Sequence, residues 1–386
     1  IVGYIELCII ARNYLPALNM IELTFLEIIV IFIWVFVCRM MYRKFYPPRH
    51  LLLVYGYKTP TEFIDKINAR KDKYIIADRI HVSEGEKALK EKILQYDGVI
   101  LCETKAYIRN ELVKYCFEHS IRSYVVPKLS DIIILGAEPI HLFDTPLLLS
   151  RNQGLTGEDM IFKRLMDIIV SLIMIIIFSP FMILIALAIK LYDRGPVFYK
   201  QDRLTLNGRV FKIMKFRSMR MDSEEHGAQL ARKHDDRITP VGRVIRATHL
   251  DELPQLFNIL KGDMSVVGPR PERPEIAAQY RETFPEFDYR LKMKAGLTGY
   301  AQVYGKYNTT PRDKVKLDLT YYEQYSLWLD LKLILLTFKI LFQKENTEGI
   351  DANQTTAIRE DKTKKTGIKH PHDEAEDAFY SVEEKK

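Results

Sequence analysis

At 386 residues the chain is long enough for two or three domains, each with a buried core. Its net charge of +7 is spread over bases that alternate with acids, with no basic arm and no zinc module, which argues against nucleic-acid binding. The 47% of hydrophobic residues pool in three lipid-like stretches, the pattern of a membrane protein with basic cytoplasmic loops.

In chain order, the sequence begins at Ile1 rather than Met and carries no signal-peptide cleavage site, so an earlier N-terminal part is expected. Residues 1–20 read as the remnant of a preceding membrane segment and a loop. Residues 23–38 are apolar apart from Glu27 and are followed by Arg39, Arg43, Lys44 and Arg49. Such a helix can cross a ~30 Å hydrocarbon core, and the positive cluster places its C-terminal end in the cytoplasm. The transmembrane region is taken as 1–45.

From residue 50 to 145 the pattern changes. Apolar runs at 51–55, 74–77, 98–102 and 123–126 read as buried strands, separated by helical patterns near 60–70, 84–95 and 105–119. This alternation predicts a small parallel α/β domain of the doubly wound kind. Its first turn, Gly56-Tyr-Lys-Thr-Pro60, lacks the glycine-rich dinucleotide fingerprint, so NAD binding is not expected and a structural or regulatory role is. Cys8, Cys38, Cys102 and Cys116 lie far apart without a CxxC, as thiols in a reducing compartment do.

Residues 128–160 read as an irregular linker. The second lipid-seeking stretch, 165–191, has Ser179-Pro180 near its middle. Proline removes a helix hydrogen bond, so a sharp bend is expected there. The first limb, about 14 residues, rises only ~21 Å, too little for a bilayer. Positive residues flank both ends: Lys163 and Arg164 before, Lys190, Arg194, Lys200 and Arg203 after. A helix that enters, bends and returns keeps both clusters on one side, whereas a plain kinked transmembrane helix is the alternative. Beyond it, 210–219 alternates as a strand, and 222–234 and 271–292 read as helices. The third stretch, 326–342, carries Lys332 and Lys339 on one face and Trp328 on another, which fits a helix lying in the membrane surface. The tail, 344–386, is charged and apolar-poor and reads as disordered.

The chemistry concentrates at Asp251-Glu252, followed by Gly262…Gly268-Pro269-Arg270-Pro271. A carboxylate can attack phosphorus to form an acyl phosphate if cations, usually with Mg²⁺, offset the repulsion between anions. Adjacent carboxylates allow one to attack and the other to hold the metal. Arg246 and Arg270 are candidate phosphate forks, the prolines beside Arg270 fix its backbone, and Gly262 and Gly268 permit tight turns. An ordinary solvated helix start gives the same Asp-Glu pair, so spacing alone leaves both readings open. His226, His234 and His249 show no zinc spacing.

Four ordered blocks then carry a resemblance. They are Lys215-Phe-Arg217-Ser-Met219, Arg246…Leu250-Asp-Glu-Leu-Pro-Gln255, Lys261-Gly-Asp-Met-Ser-Val-Val-Gly-Pro-Arg-Pro271 and Ala295-Gly-Leu-Thr-Gly-Tyr-Ala-Gln302. Together they resemble the bacterial sugar transferases, the monotopic polyprenyl-phosphate phosphoglycosyl transferases, over 161–343. The preceding regions are similar to the larger members, with transmembrane helices and a Rossmann-like domain. The resemblance implies an α/β membrane protein whose mostly helical catalytic domain has interfacial helices and a re-entrant helix broken at Ser179 and Pro180. It implies that Asp251 attacks the sugar-side phosphate of a nucleotide diphosphate sugar, typically a UDP-sugar, with Glu252 holding Mg²⁺ and Arg246 and Arg270 binding phosphates. Nucleoside monophosphate leaves, and polyprenyl (undecaprenyl) phosphate takes the sugar-1-phosphate from the covalent aspartyl intermediate. This would be an initiating step of exopolysaccharide, capsule or O-antigen assembly at the cytoplasmic face of the bacterial inner membrane. Lys215, Arg217, Tyr300 and Gln302 are further substrate contacts on this reading, and a homodimer is possible. The alternatives are a glycosyltransferase that moves the sugar alone and a non-catalytic membrane scaffold or regulator.

Overall fold

The computed structural model describes residues 10, 17–56, 60–68, 73–150, 155–220, 235–305 and 309–341. Cys8, the expected helix at 222–234 with His226 and His234, and the tail from 344 lie outside them. The chain divides into two units, Ile1–Pro127 and Lys128–Lys386.

The first unit opens with helix α1 (Ala17–Phe45), whose large apolar side chains from Ile21 onward point outward. It is long and apolar enough to cross a membrane, and Arg43 and Lys44 lie in its last turn. The α/β part follows, with β1 (Arg49–Tyr55), α2 (Thr61–Asn68), β2 (Tyr74–His81), α3 (Glu86–Ile93), β3 (Gly98–Cys102), α4 (Ala106–Glu118) and β4 (Arg122–Val125). The four strands form one parallel sheet in the order β2-β1-β3-β4, as the alternating pattern predicts. Leu51 to Val54 are all buried because helices cover both faces of the sheet. Leu52 and Val54 pack with Leu89, Ile93, Leu112 and Cys116; Leu51 and Leu53 face Phe63, Ile64 and Ile67. Gly56 is a packing glycine, since a Cβ there would stand 2.4 Å from the Glu103 carbonyl oxygen.

In the second unit the expected linker is largely ordered. It contains α5 (Leu129–Leu135) and an antiparallel hairpin, β5 (Glu138–Leu142) with β6 (Thr145–Leu149). The prolines and glycines that suggest a linker sit at the ends and the outer edges of these short elements. Helix α6 (Gly157–Asp193) starts earlier than its apolar run, because Thr156 caps it by accepting the Asp159 N–H and Glu158 and Asp159 suit its N-terminal dipole. It ends at Arg194, in the left-handed region.

The helix continues through Pro180 rather than ending there. Pro180 has no N–H to give to the carbonyl four residues back, Ile176; the Ser179 hydroxyl donates to that oxygen at 3.0 Å instead. The Ser-Pro pair thus breaks one backbone bond and replaces it locally.

The elements that carry the acidic pair follow: β7 (Phe198–Leu204) pairs antiparallel with β8 (Val210–Phe216), and α7 (Pro240–Ala247) leads through a 3-10 turn at Leu250–Glu252 into α8 (Gln255–Lys261). The short strands β9 (Ser265–Val267) and β10 (Gly296–Thr298) pair in parallel. Between them, the helix expected at 271–292 is split. Helix α9 (Pro274–Thr283) stops at Phe284, and Pro285–Lys292 is 3-10, because Pro285 cannot continue the helix. Helices α10 (Tyr300–Tyr304), α11 (Pro311–Glu323) and α12 (Leu327–Leu341) complete the unit. Strand β7 escapes the sequence reading because its charges, Lys200, Asp202 and Arg203, mask its alternation.

One stripe of α6 is buried along its length: Lys163, Asp167 and Ser171, then Met182, Ile185 and Ile189. Lys163 donates to Asp330 on α12 at 2.7 Å, and Asp330 accepts the Tyr321 hydroxyl at 2.5 Å. Asp167 accepts both the Ser265 hydroxyl and the Val266 N–H, fixing β9 to α6. With Asp330 fully buried, removing one member of its pair leaves an uncompensated charge. Lys163→Met is expected to destabilise the second unit by about 3–5 kcal/mol, and Lys163→Met with Asp330→Leu to recover most of that loss. Denaturation of the detergent-solubilised protein checks both values.

Candidate active site

Helix α7 sets the first part of the site. Thr239 caps it by accepting the Gly242 N–H at 2.9 Å, and Pro240 stands in its first turn. Gly242 lies so close to Ser218 that a Cβ would meet the Ser218 carbonyl oxygen at 1.9 Å. This close approach docks α7 on the loop after β8. At the helix end His249 adopts left-handed backbone angles and turns the chain into the Leu250–Glu252 3-10 turn. Leu250 and Leu253 pack inward, so the acids between them are left half-buried at the surface of the site.

Lys215 from β8 donates to Glu252 Oε1 at 2.6 Å, and Arg270 Nη2 donates to the same oxygen at 3.0 Å. Arg246, in the last turn of α7, acts electrostatically on Asp251. Four of the expected residues, Lys215, Arg246, Glu252 and Arg270, therefore converge with Asp251. Burial opposes the charge of Glu252, but Arg270 and Lys215 overcome it and hold its carboxyl far below the usual range. Asp251 behaves oppositely. Burial raises its pKa, and the Glu252 charge adds to the rise against Lys215 and Arg246. Among the described residues the Asp251 carboxylate accepts no hydrogen bond.

The Arg270 loop is braced on several sides. The Gly268 N–H donates to the Thr298 carbonyl and the Gly296 N–H to the Pro269 carbonyl. A Cβ on Gly296 would meet the Gly268 nitrogen at 2.1 Å, so the two glycines let these backbones cross. Arg290 donates to the Arg270 carbonyl at 3.0 Å and Arg203 to the Pro271 carbonyl at 3.1 Å.

Other expected contacts go elsewhere. Arg217 is buried and pairs with Asp193 at the end of α6. Gln302 donates to the Leu297 carbonyl at 3.0 Å, and Tyr300 packs against Tyr304. Among the described residues none of the three bonds to the acidic pair. Ser179 and Pro180 remain within α6.

Asn258 escapes the sequence reading. Its side chain accepts the Met214 N–H and donates to the Lys212 carbonyl, both at 2.9 Å. It thus replaces a neighbouring strand along β8 and fixes Lys215 relative to the acidic turn. The available signal is a buried amide within the apolar run Leu256-Phe-Asn258-Ile.

No three His, Cys, Asp or Glu side chains among the described residues form a metal cluster. Mg²⁺ needs no such cluster, since it commonly takes one or two carboxylates, waters and substrate phosphate oxygens. Asp251 and the Glu252 oxygen not bound by Lys215 and Arg270 fit that mode.

Because carbodiimides react with protonated carboxyls, the pH dependence of labelling reads the Asp251 equilibrium. Labelling should persist to higher pH at Asp251 than at exposed carboxyls. Glu252→Gln should move its fall-off to lower pH by removing a like charge, and Lys215→Met should move it to higher pH. Peptide mass spectrometry measures both shifts.

Residues 158–344 match the family described as bacterial sugar transferase. The UDP-glucose:undecaprenyl-phosphate glucose-1-phosphate transferase of Klebsiella pneumoniae is 43% identical over 209 residues, covering 53% of this chain and 43% of that protein. The UDP-N-acetylgalactosamine-undecaprenyl-phosphate N-acetylgalactosaminephosphotransferase of Aeromonas hydrophila is 44% identical over 182 residues, covering 46% and 43%. A UDP-glucose:undecaprenyl-phosphate glucose-1-phosphate transferase of Caulobacter vibrioides is 40% identical over 189 residues, covering 48% of this chain and 71% of that protein. The matched part spans less than half the length of the Klebsiella and Aeromonas relatives. The shared region contains the whole acidic-pair site, and by it the chain belongs to the bacterial sugar transferase family.

Proposed function

We propose that this protein transfers a sugar-1-phosphate from a nucleotide diphosphate sugar, of the UDP class, to polyprenyl phosphate. The observation that carries this reading is the half-buried Asp251 carboxylate, free of hydrogen bonds among the described residues, beside a Glu252 pinned by Lys215 and Arg270. An Asp251 oxygen attacks the sugar-side phosphorus, the diphosphate P–O bond breaks, and nucleoside monophosphate departs. A phosphate oxygen of the polyprenyl acceptor then attacks the same phosphorus and expels Asp251. A half-buried carboxylate with no hydrogen-bond partner among the described residues is the better nucleophile, while Arg246, Lys215 and Arg270 offset the repulsion between anions. Arg270 keeps 55% of its side chain exposed, leaving guanidinium N–H groups for a phosphate. Bound at Glu252 and the diphosphate, Mg²⁺ would neutralise phosphate charge and polarise the phosphoryl oxygens.

The membrane arrangement is part of the proposal. Helix α6 enters the cytoplasmic leaflet of the bacterial inner membrane, bends at Ser179-Pro180 and returns, setting the site at headgroup level. Support comes from its packing. Val170, Met174 and Ile175 meet one cluster, Met182, Ile185 and Ile189 another, and Leu253 packs against both. Only 176–181 separate the two sets, whereas crossing a bilayer takes about 20 residues. The outward face, with Ile173, Ile176, Ile177, Leu184 and Leu187 exposed, suits lipid. Trp328, Leu335 and Phe338 of α12 are exposed too, as an interfacial helix requires. The initiating step of a surface glycan and a homodimeric assembly belong to the same reading.

Asp251→Asn should lower nucleoside monophosphate release by at least ~10³-fold with the fold retained, and the wild type incubated with nucleotide sugar alone should carry a phosphosugar on Asp251. Full turnover in Asp251→Asn, or release of nucleoside diphosphate, would overturn the assignment. For topology, single cysteines at Glu158 and Tyr192 in a cysteine-free background should both react with an impermeant maleimide in inside-out vesicles only. Labelling of the two from opposite sides would sink the re-entrant arrangement.

A further inference from the structure

We infer that Arg164 and Asp167, three residues apart on α6, are positioning residues that set Arg270 against Glu252. Arg164 holds the helix that follows the acidic pair, and Asp167 holds the strand that leads to Arg270. The inference rests on the proposed transfer, in which Arg270 takes a donor phosphate.

The bond from Arg270 to Glu252, 3.0 Å long, joins two separate segments. Glu252 ends the 3-10 turn before α8, and Arg270 follows β9. Helix α8 has seven residues, and its last carbonyls have few donors within the helix. The Arg164 guanidinium supplies two more. Its Nη1 donates to the Ile259 carbonyl and its Nη2 to the Leu260 carbonyl, each at 2.6 Å. A planar fork with two bonds fixes both the place and the direction of the helix end.

Asp167 does the same for β9. The Ser265 N–H donates to the Ala295 carbonyl, beside β10, at 2.8 Å. Successive N–H groups of a strand point to opposite edges, so the Val266 N–H faces away from β10. The sheet has two strands among the described residues, and the Asp167 carboxylate stands where a third would be. One of its oxygens accepts the Val266 N–H at 2.8 Å and the Ser265 hydroxyl at 2.9 Å. Asp167, Ser265 and Val266 are all buried. Two paired strands of three residues each are too short to hold their own place, so this outside anchor decides where β9 lies.

From β9 to Arg270 the chain is stiff. The Gly268 N–H donates to the Thr298 carbonyl, the Pro269 carbonyl accepts the Gly296 N–H, and Pro269 and Pro271 restrict the backbone on both sides of Arg270. The placement of β9 is thereby carried to the guanidinium. Residues three apart on a helix are neighbours on its surface, so a single turn of α6 spaces the two halves of the Arg270–Glu252 pair. A displacement of about 1 Å at a reacting centre can cost on the order of 10²-fold in rate, so such a spacer acts on catalysis without touching substrate.

The test is a double-mutant cycle on the full chain in lipid nanodiscs, with nucleoside monophosphate release followed under enzyme excess so that slow variants are measured. Arg164→Met and Asp167→Leu should each lower kcat/KM for the nucleotide sugar about tenfold. In an Arg270→Gln background the same changes should cost less than about twofold, because Arg270 is the group they act through. Asp167→Asn keeps an oxygen for the Val266 N–H and should stay within about threefold of wild type. Arg164→Met retains an aliphatic stem and reads the α8 side of the spacer even where Asp167→Leu does not fold. Equal losses in the two backgrounds would show a general structural role and overturn the inference, as would an unchanged kcat/KM in Arg164→Met. Absence of monophosphate release by the wild type would instead sink the transfer reaction itself.

Discussion

Glu252 is the point through which the site is assembled. Its one oxygen Oε1 receives Lys215 from a strand and Arg270 from a proline-framed loop, so three segments distant in sequence meet at one atom. A carboxylate this little exposed would be costly alone, and two charge-assisted bonds offset the loss of water. Each cation is in turn placed by structure. Asn258 holds the strand behind Lys215, and the paired strands β9 and β10, with Arg290, hold the loop that presents Arg270.

The same logic explains the charges inside the most apolar helix. Lys163 and Asp167 lie in α6, where lipid would make them expensive. Both face the second unit's core and bind there, Lys163 to Asp330 and Asp167 to β9. They tether the helix along the stripe that also carries Met182, Ile185 and Ile189, leaving the remaining apolar circumference free. Its exposed apolar side and its protein-facing side are therefore specified by different chemistry on one continuous helix.

Much of the first unit is legible in the sequence, because parallel strands covered on both faces read as continuous apolar runs and the intervening helices are amphipathic. The acidic site is legible in part. Lys215, Arg246, Asp251, Glu252 and Arg270 stand in short ordered blocks, and only the Arg270 block is framed by Pro and Gly. Arg217, Tyr300 and Gln302 share those blocks but bond elsewhere, since proximity in sequence does not settle which way a side chain leaves the backbone. Asn258 and Arg290 were invisible for the opposite reason. Their roles come from contacts across 20 or more residues, such as Asn258 to Lys212 and Arg290 to Arg270, which no local pattern encodes. Strand β7 was hidden by its charges, and the hairpin β5–β6 because its short exposed strands, EPIHL and TPLLL, each contain a proline and lack the apolar alternation that marks a half-buried strand.

Neighbouring acids would ordinarily titrate alike, yet Asp251 and Glu252 are driven apart. A 3-10 turn has three residues per turn, so successive side chains leave it about 120° apart. Glu252 is directed to both Lys215 and Arg270, and among the described residues the Asp251 carboxylate is left without a hydrogen bond. The ionised Glu252 then raises the cost of a second negative charge beside it, on top of burial. The pairing that stabilises one carboxylate thereby withholds stabilisation from the other, and an anion lacking such stabilisation has the most to gain from forming a bond to phosphorus. The turn geometry, rather than any difference between Asp and Glu as chemical groups, divides the pair into a charge fixed by two cations and one whose pKa is raised.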